Sequence, residues 1–201
     1  MNKMIKPVAA YDPDYLSQQL SQLISQGFSA KFTHQMFSKK TATRAIKVIS
    51  DYLVMSQQHT LAICEIEGQI CGCLLISEHP NNLVHLYHFF RRSLTAMQSL
   101  KLLLLMMMLS YRPQKNEGYI ELVVTDRKFY RLGVAQSLIE HSMTMTSKQR
   151  LTLHVADTNQ QAIKLYEKLN FKRIKHESSR LLYWLTGKKG WYLMRWENEK
   201  N

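Results

Sequence analysis

The sequence has no apolar stretch long enough to cross a membrane. Its longest uninterrupted run, residues 102–109, is eight residues long, against the ~20 a spanning helix needs. Lys101 precedes the run and Ser110 ends it, so it reads as a core or interface helix. Cysteine is scarce and odd in number: Cys64, Cys71 and Cys73. Three thiols without an apolar leader in residues 1–10 point to reduced cysteines and a cytoplasmic protein. Cys71-Gly72-Cys73 has no second ligand pair at metal spacing, so buried strand cysteines are expected and no metal. Acid is also short, with 15 Asp+Glu against 27 Lys+Arg and a net charge of +12. That excess suits a polyanion or a phosphate-rich cofactor. The basic residues are scattered in pairs, such as Lys39-Lys40 and Arg91-Arg92, with no basic run interleaved with aromatics. Nucleic acid is therefore a secondary reading.

With 201 residues and 45% hydrophobic composition, the chain supports one domain spanning residues 1–201. Asp12-Pro13 reads as an N-cap and first-turn proline, Leu16, Leu20, Leu23 and Ile24 recur at helical spacing, and Gly27 supplies a stop. A second helix falls within residues 32–55, with Ile46, Ile49 and Leu53 on one face. Residues 61–67 and 70–77 flank Gly68-Gln69 and read as a β-hairpin. Residues 79–82 break the pattern, and one long helical region follows over residues 83–111. Then come a strand (119–125), a polar loop (126–132), a helix from Gly133 and a strand (151–155). A helix capped by Asp157 or Thr158 and two final strands (171–175 and 191–196) complete the chain. The order predicts a single mixed α/β domain whose sheet needs helices on both faces.

Two segments carry the chemistry. The first runs from Tyr119 through Glu121, Val123, Val124, Thr125, Tyr130, Arg131, Leu132, Gly133, Val134 and Ala135: strand, basic loop, Gly-x-Ala, helix. The first turn of a helix offers free N–H groups and the positive end of the helix dipole, and a glycine lets an anion approach the main chain. The turn is thus a candidate phosphate site, with Arg131 as a local cation. The second segment supplies Asn159, Ala162, Leu165-Tyr166-Glu167-Lys168 and Phe171 after a strand.

Together the pair resembles the GNAT superfamily of acyl-CoA-dependent N-acyltransferases. There the loop reads Arg/Gln-x-x-Gly-x-Gly/Ala, and the later helix reads Ala-x-x-Leu-Tyr-Glu-Lys-x-Gly-Phe. The match is best over residues 119–175. Tyr130 stands where the family has Arg or Gln, with Arg131 one position later, and Asn170 replaces the glycine before Phe171. Residues 80–118 form a helical insertion between the third and fourth strands of the family's sheet.

The resemblance implies a sheet splayed between two strands, with acetyl-CoA as co-substrate. It places the pantetheine arm against the main chain of Val123, Val124 and Thr125, and the pyrophosphate on the amides of residues 131–135. It makes Tyr166 the hydrogen-bond partner of the CoA sulfur and puts Asn159 beside the pantetheine; Asn159 equally suits a helix cap. An ammonium has no lone pair, so a base must take the amine's proton. Glu121 is the candidate, placed by alternation on the face of Val123 and Thr125; an ordinary strand glutamate is the competing reading. His154 reads as structural. The insertion is similar to that of antibiotic and small-amine acetyltransferases, and the expected acceptor is a primary amine of a small molecule or peptide. A homodimer is compatible with all of this. Two other functions stay open: a non-catalytic CoA-binding or partner-binding module, and a basic nucleic-acid-associated protein.

Overall fold

The computed structural model describes residues 2–33, 37–56, 61–78, 82–178, 183, 187 and 189–198. Seven strands form one mixed sheet: β1 (Lys3–Pro7), β2 (Leu61–Ile66), β3 (Gln69–Ser77), β4 (Glu117–Thr125), β5 (Arg150–Ala156), β6 (Lys172–Ser178) and β7 (Gly190–Glu197), in the order β1-β2-β3-β4-β5-β7-β6. Six helices accompany it: α1 (Pro13–Thr33), α2 (Lys39–Ser56), α3 (Leu83–Arg91), α4 (Ala96–Leu109), α5 (Val134–Met145) and α6 (Gln160–Lys168). β4 and β5 are the only parallel pair among the described residues; every other pair is antiparallel.

The sheet separates two cores. On one face α1 to α4 bury Leu16, Leu20, Ile46, Phe90, Leu102 and Leu105 against Cys73, Leu75 and Val124. On the other, α5 and α6 bury Val134, Leu138, Ile139 and Ile163 against Cys71, Leu74, Ile120, Leu153 and Val155. Removing these apolar side chains from water is the main favourable term holding the layers together. Gly72 lets α5 sit close: a Cβ there would lie 2.7 Å from both the Val124 carbonyl oxygen and Val134 Cγ1. All three cysteines are buried free thiols in strands, as their apolar setting predicts.

Several sequence expectations hold in detail. Asp12 caps α1, accepting from the Tyr15 amide at 2.9 Å. The hairpin β2–β3 turns through Glu67 and Gly68, both left-handed. Asn170 adopts φ 63°, the left-handed conformation that asparagine tolerates well. Three expectations are corrected, and one strand is added. Gly27 does not end α1, which runs on to Thr33; a side chain there would approach Val124 at 3.5 Å. The helical region 83–111 is two helices, because Thr95 and Gln98 form a capping box that starts α4 afresh. Of the caps offered for the last helix, Asn159 serves rather than Asp157 or Thr158, its side chain accepting from the Ala162 amide. β1 is an additional strand, too short and too polar for a periodic signal. Of the break expected at 79–82, residues 79–81 lie outside the described residues, and Asn82 caps α3 at the amides of Val84 and His85.

Candidate active site

β4 and β5 pair over four rungs only, from Glu117↔Arg150 to Ile120↔Leu153. Beyond Ile120, β4 continues on β3 alone, while β5 continues on β7. The two strands splay, and the β5-facing edge of residues 121–125 has no strand partner among the described residues. An unpaired strand edge inside a sheet offers a row of N–H and C=O groups to an extended ligand. Val123, Val124 and Thr125 form this edge.

Glu121 stands at the top of the splay, in a β-bulge. Ile76 pairs with Ile120 and Leu75 with Leu122, leaving Glu121 as the extra residue. The bulge changes the parity of the strand. Ile120 and Val123 join one core, and Leu122 and Val124 the other. Strict alternation therefore does not decide the face of Glu121. Its side chain is instead tied to the Ser77 hydroxyl, which donates to the carboxylate. Burial raises the Glu121 pKa from the ordinary carboxylate value, and the Ser77 bond offsets part of the rise.

A second set of polar groups meets at the same point. The Tyr119 hydroxyl lies 3.0 Å from His154 Nδ1, and His154 Nε2 lies 3.5 Å from Glu177 Oε2. Tyr111, from the end of the helical insertion, stacks on Tyr119 with ring centroids 4.7 Å apart. Below them, buried Glu117 accepts from Thr152 at 2.7 Å, from the Gln114 amide at 2.5 Å and from Tyr111 at 3.2 Å. His154 is held below its ordinary value by burial, which Glu177 opposes. It is therefore a neutral imidazole at neutral pH.

At the other end of the splay, Asp126 caps a 3-10 turn over Arg127–Phe129, and Gly133 caps α5 with φ 74°. Arg131 is also left-handed, at φ 65°. The first helical bond of α5 runs from the Ser137 amide to the Gly133 carbonyl, so the amides of Val134, Ala135 and Gln136 are not claimed by the helix. Tyr130 is exposed and Arg131 follows it in the loop. A cation nevertheless reaches the turn: Lys3 Nζ, from β1, donates to the Leu132 carbonyl at 3.0 Å and lies 3.0 Å from where a Gly133 Cβ would stand.

Tyr166 is on α6, against the α5 side of the sheet and 5.9 Å from the Phe171 ring. Burial pushes its pKa up to about 12, and its hydroxyl makes no hydrogen bond among the described residues. Asn159 is committed to capping α6. Among the described residues no group of three His, Cys, Asp or Glu side chains could hold a metal ion.

The sequence profile of the Acetyltransferase (GNAT) family matches residues 18–171. The chain belongs to the GNAT family of acetyltransferases. Solved GNAT structures share its fold. An N-acetyltransferase from Staphylococcus aureus Mu50 superposes with a TM-score of 0.68 at 18% identity, over 96% of this chain and 100% of that one. A Corynebacterium glutamicum protein described as histone acetyltransferase HPA2 and related acetyltransferase gives 0.68 at 15% identity, over 100% and 99%. A NatC complex bound to Gag peptide and CoA gives 0.60 at 15%, over 98% and 99%. No curated protein sequence matches the chain. The splay, the bulge and the Gly133 turn are thus set in a GNAT fold, with Glu121 and the edge 123–125 along one wall. Sequence reasoning passed over Lys3, Ser77, Tyr119 and the His154–Glu177 pair. Lys3 and Leu132 are 129 positions apart, so no local pattern links them.

Proposed function

We propose that the protein transfers the acetyl group of acetyl-CoA to a primary amine of a small molecule or peptide, by direct attack in a ternary complex. The splay carries this reading. The pantetheine arm adds to the free edge of Val123, Val124 and Thr125 as an extra strand, while the pyrophosphate takes the amides of Arg131, Leu132, Gly133, Val134 and Ala135, with Tyr130 at the rim. Lys3 supplies a cation where the family's Arg or Gln is replaced by Tyr130, which weakens the case for a non-catalytic module. Asn159 holds the start of α6, and so the position of Tyr166.

Glu121 takes a proton from the attacking nitrogen, directly or through a water. Burial favours this, because a raised carboxylate pKa brings the base closer to the proton it must accept. The neutral nitrogen attacks the thioester carbonyl and forms the C–N bond; as the C–S bond breaks, the nitrogen gives up its second proton, which ends on the departing sulfur as the CoA thiol. Tyr166 donates a hydrogen bond to that sulfur. With a pKa near 12 it keeps its own proton at neutral pH. The acceptor arrives from the side of the sheet that carries the N-terminal helices α1 and α2.

Calorimetric titration with acetyl-CoA, followed by thiol release against a panel of small amines and peptide N-termini, tests the reading. Saturable binding with amine-dependent thiol release is expected. Binding without release for any amine would leave a CoA-binding module. Failure to bind would remove the reading altogether.

A further inference from the structure

α4 is apolar on both sides. Leu102 and Leu105 are fully buried in the core beneath it. On its outer side Met97, Leu100, Leu104 and Met107 are 62%, 45%, 48% and 44% exposed. These four follow i, i+3, i+7, i+10 spacing, which is one face of a helix. They form a stripe about 15 Å long at 1.5 Å per residue. A helix apolar all round is normally buried all round, and contiguous exposed apolar surface marks a place of contact.

The segment that carries this stripe has charge of one sign along its sequence. Residues 79–116 contain no Asp or Glu, but they do contain Arg91, Arg92, Lys101, Arg112 and Lys115. All five are exposed. Lys101 is four residues after Met97 and three before Leu104, so it borders the stripe directly. The acids that flank the segment are already engaged. Glu78 pairs with Lys148 at 3.0 Å, and Glu117 is buried and fully bonded.

We propose that the outer face of α4 docks on an anionic lipid surface, with Met97, Leu100, Leu104 and Met107 entering the headgroup–acyl boundary and Lys101 meeting lipid phosphates. Such a surface offers what the stripe and its rim demand together: an apolar layer beneath a sheet of negative charge. Nucleic acid matches the charge but gives the stripe nothing apolar. A second copy matches the stripe but brings another net charge of +12. Two copies of the stripe would also bury only on the order of 800 Å², below the ~1,200 Å² of stable specific interfaces. α4 does not cross the bilayer: no described helix is long and apolar enough to do so. It would lie along the surface.

Co-sedimentation of the full chain with phosphatidylcholine vesicles containing about a third phosphatidylserine tests this, against phosphatidylcholine alone. Binding to the anionic vesicles is expected, with at least about a tenfold weaker partition onto neutral ones and a steep loss with salt. The double variant Leu100→Glu/Leu104→Glu, altered only at half-exposed positions, should lose vesicle binding about tenfold or more. Its melting temperature and far-UV circular dichroism should match those of the wild type, which shows that it is folded. No binding to anionic vesicles overturns the proposal. So does binding that the double variant keeps, or a wild-type dimer in solution that the double variant splits. The lipid arm does not depend on the transferase reading, so either can fail alone.

Discussion

The Tyr119 hydroxyl lies 3.0 Å from Nδ1 of His154, joining β4 to β5 at the point where their main chains part company. The bond replaces a ladder rung with a side-chain contact and leads through His154 to Glu177 at the surface.

This contact makes stability depend on pH. Burial lowers the His154 pKa below its ordinary 6.5 in the folded chain. The unfolded chain therefore binds more protons as the pH falls through 6.5. The contribution is full above that value and is lost below it, toward the folded pKa. The melting temperature should fall between about pH 7.5 and 5.5, and fall less in His154→Gln. Equal slopes in differential scanning fluorimetry would show that His154 is not the group responsible.

Glu121→Gln should lower kcat/KM by about 10²- to 10⁴-fold, the usual worth of a positioned base. Its effect on stability should have the opposite sign. A carboxylate whose pKa is raised by burial destabilises the fold at pH values above its unfolded 4.5, so the neutral amide should melt no earlier at neutral pH. The acid limb of the wild-type kcat/KM profile should lie above 4.5 and vanish in the variant. A variant that melts early and still turns over would place the base elsewhere.

Tyr166→Phe removes the hydroxyl offered to the departing sulfur. A hydrogen bond to a charged group is worth about 1.5–3 kcal/mol, so kcat should drop by about 10- to 150-fold, with little change in acetyl-CoA affinity. Single-turnover rates read the effect on chemistry directly. A rate equal to that of the wild type would assign the tyrosine to packing against Phe171.

Lys3→Ala should weaken acetyl-CoA binding by roughly 3- to 10-fold, between the worth of an exposed pair and that of a charge-assisted hydrogen bond. The loss should shrink in high salt. Dephosphorylated pantetheine fragments should bind both forms alike. Identical calorimetric affinities for acetyl-CoA would mean that Lys3 only braces the Leu132 carbonyl.

The segments that carry regular periodicity or a turn residue with one physical use were legible in the sequence. Leu16, Leu20, Leu23 and Ile24 line the core of α1 as their spacing requires, and Gly133 caps α5 in the left-handed conformation that glycine adopts freely. The splay itself followed from the family resemblance and could not be read from spacing. Other features depended on tertiary partners. Gly27 stays helical because α1 is long and packed against β4. Glu121 sits on a bulge that breaks alternation, and a bulge leaves no local signature in a strand of nine residues. Lys3 comes from a strand of five residues that pairs with β2 and could not be recognised before β2 was in place.

The four rungs joining β4 to β5 give the molecule a mechanical seam. On one side lies the antiparallel ribbon β1 to β4, and on the other the ribbon of β5, β7 and β6. A thioester wedged into the gap would act as a fifth and sixth stitch, tying the ribbons together from within. Amide protons along both lips of the gap should therefore exchange more slowly once the donor is in place, and the two ribbons should then resist pulling apart as one body.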